Sequence, residues 1–180
     1  MPGPSIAARR GHVVLVRGFQ DWYSTGIDEL THELTLAGID AHAYPEDRWR
    51  DVAEMLAASS TDQPLVLIGF SYGADDVVAI ARELHRPVDL LMAIDPVTPD
   101  AVPANVVRCV NFYQSNGPMD MLPWLRGIPL AREGTSSQPL QNIDIRQRPD
   151  LLEPNTSHAT IAANRKVHAA MIELVRATCP

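Results

Sequence analysis

The chain has 180 residues, 46% of them hydrophobic and 21% charged, with a formal net charge of -7 and a sequence pI near 5.2. That length suits one domain with one core, and an acidic balance without a basic stripe argues against a nucleic-acid partner or an anionic membrane surface, leaving small or neutral substrates. No run is long enough to span a membrane, and two cysteines, Cys109 and Cys179, make neither a disulfide framework nor a metal-ligand cluster; a cytoplasmic setting is expected, with a removed export signal left open.

Val13 to Val16 predicts a strand running straight into Arg17-Gly18-Phe19-Gln20, where the glycine lets the chain turn back. Asp21, Trp22 and Tyr23 extend that loop with aromatic surface suited to an acyl pocket, so Gln20 and Trp22 are substrate-binding candidates. Thr25 to Ala37 has helical spacing, Ile39 to Tyr44 predicts a strand, and Glu46 to Ser59 a helix. Leu65 to Ile68 then predicts a buried strand that ends in Gly69-Phe70-Ser71-Tyr72-Gly73, and Ala74 to His85 continues as a helix.

A G-x-S-x-G between a strand and a helix has a mechanical reading. The turn is sharp, the serine is held in a strained conformation with its hydroxyl exposed, and the flanking positions have room for little beyond hydrogen. Ser71 is therefore the candidate nucleophile. The N–H of Tyr72, at the helix start, is one candidate oxyanion donor, and the N–H of Phe19, or of Gln20, is the second. Asp75 and Asp76 in the first helical turn read as structural acids facing the positive end of the helix dipole.

Val88 to Ile94 predicts the next strand, ending in Asp95-Pro96, and Val106 to Tyr113 another. The connection Gln114 to Gln141 is too long to be idle; it carries Met119, Met121, Leu122, Trp124, Leu125, Ile128 and Leu130, and either covers a site mouth, with Trp124 touching substrate, or packs on the sheet edge. Ile143 to Ile145 predicts a short strand and Ala159 to Ala177 a closing helix. The alternation of strands and helices favours a mostly parallel central sheet with helices on both faces, whose ligands bind beyond the carboxyl ends of the strands.

A serine hydroxyl needs a base, and in this architecture the order is serine, acid, histidine. His85 lies near the far end of the helix that Ser71 begins, roughly 20 Å away at 1.5 Å per residue. His168 falls in mid-helix. His158 follows a strand and a loop at the expected start of the last helix, where the dipole would keep its ring neutral, and is the candidate base. Asp95, at a strand end, is the candidate acid; Asp120 is its rival, with Asp144 and Asp150 weaker. Asn155-Thr156-Ser157 matches a glycosylation sequon and reads as accidental.

These residues resemble the α/β-hydrolase family over nearly the whole chain. Val13 to Gly18 looks like its first strand and oxyanion loop, Gly69 to Gly73 its nucleophile elbow, and His158 its base. Asp95-Pro96, after the strand that follows the elbow helix, is similar to the acid site of pancreatic-type lipases. The departures are Arg-Gly-Phe in place of His-Gly and the absence of sequence for a separate cap domain. The resemblance implies a minimal three-layer hydrolase: a small serine esterase or lipase-like enzyme acting on a small-molecule ester through an acyl-enzyme, with no metal or cofactor and with oligomeric state open. A thioesterase or acyltransferase would share this machinery, and a non-catalytic module binding an acyl ligand or a protein is the reading from a different class.

Overall fold

The computed structural model describes residues 11–19, 25–59, 62–115 and 127–180. They form strand β1 (His12–Val16), helix α1 (Thr25–Leu36), β2 (Asp40–Tyr44), α2 (Trp49–Ala58), β3 (Leu65–Phe70), α3 (Tyr72–Glu83), β4 (Leu90–Ile94), β5 (Cys109–Tyr113), β6 (Leu140–Asp144) and α4 (Arg165–Thr178). Short 3-10 turns occupy Glu46–Arg48, Ile145–Gln147 and Ile161–Ala163.

The six strands make one open sheet in the order β2-β1-β3-β4-β5-β6, parallel throughout. Successive strand residues face opposite sides, so each strand feeds two cores. Val13, Leu15, Val66, Ile68, Leu90 and Met92 pack with Ile27, Leu30 and Leu34 of α1 and Val167, Met171 and Val175 of α4. Val14, Val16, Leu65, Leu67, Leu91 and Ala93 pack on the other face with Val52 and Leu56 of α2 and Val77 and Ile80 of α3. Burial on both faces is why β1, β3 and β4 are unbroken apolar runs instead of alternating ones.

The winding direction reverses between β1 and β3, because β2 lies outside β1 and all later strands lie on the other side. A crevice opens beyond the carboxyl ends of the strands at such a reversal. Both Gly18 and Ser71 lie just past the ends of those two strands.

Several boundaries differ from expectation for local reasons. The strand expected from Val106 starts at Cys109, since the Val106 N–H turns back to the Pro103 carbonyl at 3.2 Å and Val106 keeps only an isolated bridge to Val88. The strand expected at Ile143 to Ile145 is β6, shifted toward the N-terminus; exposed Gln141 and Asn142 hide it, as befits an edge strand paired on one side only. The closing helix starts at Arg165, not Ala159. Asn164 sets that start: its side-chain oxygen accepts from the N–H groups of Lys166 and Val167 at 2.9 and 3.0 Å.

His168 is a buried clamp. Its Nδ1 is 3.2 Å from the Glu33 carboxylate of α1 and its Nε2 is 2.6 Å from the Ala162 carbonyl, tying α4 to α1 and to the turn before it.

The two acids at the start of α3 have separate fates. Asp75 accepts from the N–H groups of Val97 and Thr98 at 3.0 and 2.8 Å and so fastens the loop after β4. Asp76 Oδ2 is buried with no hydrogen-bond partner, and burial, reinforced by the Glu46 and Asp75 carboxylates against a small opposing effect of Arg50, pushes its carboxyl up to about 7. A raised acid binds its proton more tightly in the folded chain than in the unfolded one. It therefore costs stability progressively as pH rises from about 4 to about 7. Asp76→Asn is expected to be neutral near pH 4 and stabilising by about 1–2 kcal/mol at pH 8, allowing for solvent screening, as read by urea unfolding at both values.

Candidate active site

Ser71 follows β3 at once and has φ 56° and ψ -125°, a conformation that costs on the order of 1–3 kcal/mol and that the surroundings must enforce. They do so on both sides. The Ser71 N–H donates to the Ile94 carbonyl at 2.9 Å, while its own carbonyl accepts from Ala74 at 3.0 Å to open α3. A Cβ at Gly69 would stand 2.1 Å from the Gly73 carbonyl oxygen, and one at Gly73 would stand 2.2 Å from that of Arg17. Both glycines are required by backbone that cannot move aside.

Three elements converge on the serine. Its Oγ lies 2.9 Å from His158 Nε2, and His158 Nδ1 lies 2.8 Å from Asp95 Oδ2. Asp95 is fully buried one residue past β4, with φ 51°, and its N–H donates to the Phe112 carbonyl at 2.9 Å. Its carboxylate also accepts from the Gln114 N–H at 3.0 Å and more weakly from Gln114 Nε2 at 3.4 Å. The imidazole is largely covered, with 14% of its side chain exposed, and Phe70 lies against it at 5.3 Å between ring centroids.

His158 does not stand at a helix start, which corrects the dipole argument made for it. It sits in a turn seven residues before α4, and that turn is braced locally: Thr160 Oγ1 accepts from the Ser157 N–H at 2.9 Å and donates to the Asn155 carbonyl at 2.9 Å, while Thr156 Oγ1 donates to Glu153 at 2.7 Å. The sequon residues are thus engaged in building the turn. The Asp95 contact acts on the tautomer instead: with the proton held on Nδ1, Nε2 is the acceptor that faces Ser71.

Tyr72 opens α3, so its N–H has no carbonyl four residues earlier within the helix to bond. Phe19 approaches from the β1 loop: its ring is 5.9 Å from that of Tyr72, tilted by 58°, and the two side chains are 51% and 38% exposed, an apolar rim beside the serine. A Cβ at Gly18 would lie 3.2 Å from that of Ser71, so the loop passes directly over the elbow. Gln20, Trp22, Asp120 and Trp124, with Met119 to Leu125, lie outside the described residues. The remainder of the long connection packs: Leu130 is buried in the core beneath β5 and β6, and its N–H and carbonyl bond the Asn142 side chain at 2.8 and 2.9 Å.

Gln114, Arg146 and Gly127 were not singled out in the sequence. Gln114 is fully buried beside Asp95, and a Cβ at Gly127 would stand 1.9 Å from Asp95 Oδ1. The available signal was position: Gln114 is a polar residue directly after an apolar strand on the edge where Asp95 and Ser71 sit. Asp144, weighed as an acid, is a clip that accepts from Ser115 Oγ at 2.7 Å and from the Arg146 N–H at 3.1 Å. Asp150 is exposed and paired with Arg148. Burial pushes the Cys109 thiol up to about 12, which closes thiolate chemistry to it. Among the described residues no group of three or more side chains is arranged to hold a metal ion, and no helix is long and apolar enough to cross a membrane.

No protein-family model and no curated protein matches this sequence. Solved structures do match. The chain is similar to a cutinase-like protein from Cryptococcus sp., with TM-score 0.56 and 14% identity over 96% of each chain. It is similar to an α/β serine hydrolase without a lid from Xanthomonas campestris, with TM-score 0.52 and 18% identity over 99% of this chain and 87% of that one. An acetyl xylan esterase matches at TM-score 0.50 and 11% identity over 96% of this chain and 99% of the other.

Proposed function

We propose that this chain, which has the α/β-hydrolase fold without a separate cap, is a serine hydrolase that cleaves a small-molecule carboxylic ester through an acyl-enzyme. The observation that carries the reading is the unbroken chain from Ser71 Oγ to His158 Nε2 at 2.9 Å and from His158 Nδ1 to Asp95 at 2.8 Å, set on a strained elbow at the point where the sheet reverses.

The chemistry follows from that chain. His158 Nε2 takes the Ser71 proton as Oγ attacks the ester carbon, and buried Asp95 stabilises the imidazolium that forms. The N–H groups of Tyr72 and Phe19 receive the developing oxyanion. Collapse breaks the bond to the leaving alcohol, whose oxygen takes the proton from His158; a water deprotonated by His158 then attacks the acyl group and releases the acid and free Ser71. No metal or cofactor enters any step. The exposed rings of Phe19 and Tyr72 offer an apolar wall to the group bound beside the serine.

The test is covalent. A fluorophosphonate probe is expected to add one phosphonyl group to the protein, mapped by mass spectrometry to the peptide holding Ser71, with no adduct in Ser71→Ala. Labelling that persists in Ser71→Ala overturns the assignment, and no labelling of the wild-type chain overturns the enzyme reading. Turnover of p-nitrophenyl acetate against an acyl thioester separates esterase from thioesterase.

A further inference from the structure

Behind the three residues just assigned lies a second set of polar side chains that the hydrolytic steps do not use. Gln114 is fully buried, and its two amide ends meet groups of opposite charge: Oε1 accepts from Arg146 Nη2 at 2.8 Å, and Nε2 faces Asp95 Oδ2 at 3.4 Å. A guanidinium only donates and a carboxylate only accepts, so a single orientation of that amide satisfies both. The same Arg146 Nη2 donates to the Thr156 carbonyl at 3.1 Å, two residues before His158.

These contacts join loops that are far apart in sequence. Asp95 follows β4, Gln114 follows β5, Arg146 stands in the turn after β6, and Thr156 belongs to the turn carrying His158. Ser115 and the Arg146 backbone are held together by Asp144, which fixes the spacing of the two middle members. The site lies at a sheet edge where nothing in the strand register dictates the distance between the acid and the histidine. A rigid polar bridge does.

We propose that Gln114 and Arg146 are positioning residues of the active site: Arg146 draws the His158 turn toward β6 and, through the Gln114 amide, places positive charge behind the Asp95 carboxylate. This rests on the serine-hydrolase reading above, since Asp95 and His158 have no work to do without it. Among the described residues, the charged and titratable groups facing His158 and its turn are Asp95 from the β4 end, Ser71 from the start of α3, and Arg146 from beyond β6, with Asp144 beside Arg146. Removing the positive charge leaves Asp95 less balanced, so the imidazolium is favoured and the base is lost at higher pH. Loosening the turn lowers the fraction of His158 within reach of the serine. Gln114 is fully buried behind Asp95 and neither residue is assigned a contact with substrate, so the effect is expected in kcat and not in KM.

The experiment measures p-nitrophenyl acetate turnover and fluorophosphonate labelling rate against pH for wild type, Gln114→Leu, Arg146→Gln and Arg146→Lys, with melting temperatures alongside. Gln114→Leu and Arg146→Gln are expected to lose about 10- to 100-fold in kcat with KM within about twofold. In Arg146→Gln the acidic limb of kcat/KM moves upward by about half a pH unit or more. Arg146→Lys, which keeps the charge and one of the two bonds, holds the acidic limb in place and recovers part of the rate. A limb that stays put in Arg146→Gln, or a rate loss matched only by a fall in melting temperature, overturns the proposal while wild-type labelling at Ser71 leaves the hydrolase reading standing. Absence of wild-type labelling overturns that reading and this one together.

Discussion

Asp95→Asn is expected to lower kcat for ester turnover by about four orders of magnitude, while the variant folds and unfolds much as the wild type does. The reason is the proton on His158. Asp95 Oδ2 accepts at 2.8 Å from Nδ1, so Nδ1 carries the hydrogen and Nε2 is left with a lone pair directed at Ser71 Oγ. An asparagine amide turned toward the ring donates to Nδ1 and moves the hydrogen to Nε2, where it blocks proton transfer from the serine. The asparagine oxygen can still accept from the Gln114 N–H, so the buried backbone donor keeps its partner; the weak 3.4 Å contact from Gln114 Nε2 is lost, at about 1 kcal/mol, and the variant stays folded. Asp120→Asn is the matched comparison and is expected to retain turnover within a few-fold. The measurement is kcat on p-nitrophenyl acetate for both variants, and a large loss in Asp120→Asn with none in Asp95→Asn would reassign the acid.

Gly73→Ala is expected to be among the most damaging single-methyl changes in the described fold, at about 3–4 kcal/mol of stability and a roughly 100-fold loss of kcat. The added carbon would stand 2.2 Å from the Arg17 carbonyl oxygen and 2.4 Å from that of Val16. Both are backbone atoms at the end of β1, whose residues Val13 to Val16 are fully buried, so relief requires moving α3 away from β1. That movement separates the Tyr72 N–H from the Phe19 N–H, the two donors proposed for the oxyanion. Gly134→Ala is the control: its φ of 58° carries conformational strain, but nothing lies within 4 Å of the new carbon, so about 1 kcal/mol is expected. Urea unfolding of the two variants separates contact from conformation; equal costs would show that the elbow tolerates a side chain.

The candidate site was legible where chemistry is written in adjacent residues. Gly69 to Gly73 announces a turn whose strain only glycine neighbours permit, and Asp95-Pro96 announces a strand end. His158 emerges by elimination, but not from a helix start: α4 begins at Arg165, where the Asn164 side chain caps it, and Asn155 to Thr160 form a turn of their own. Gln114, Arg146 and Gly127 could not be found that way. Each acts on Asp95 or His158 across a gap of 10 or more residues, and nothing about a lone glutamine, arginine or glycine marks that partnership.

By itself, then, the sequence determined the layers and singled out Ser71. Unbroken apolar strands alternating with amphipathic helices can bury their surfaces only as a parallel sheet covered on both faces, and a G-x-S-x-G at a strand end marks the turn on which its serine sits. Tertiary structure decided the distances. Whether Asp95 meets His158, and what holds the two together, depends on β4, β5 and β6 lying side by side so that Asp95, Gln114 and Arg146 end on one edge. Strand order is fixed by the packing of whole elements and leaves no mark on the residues it brings into contact.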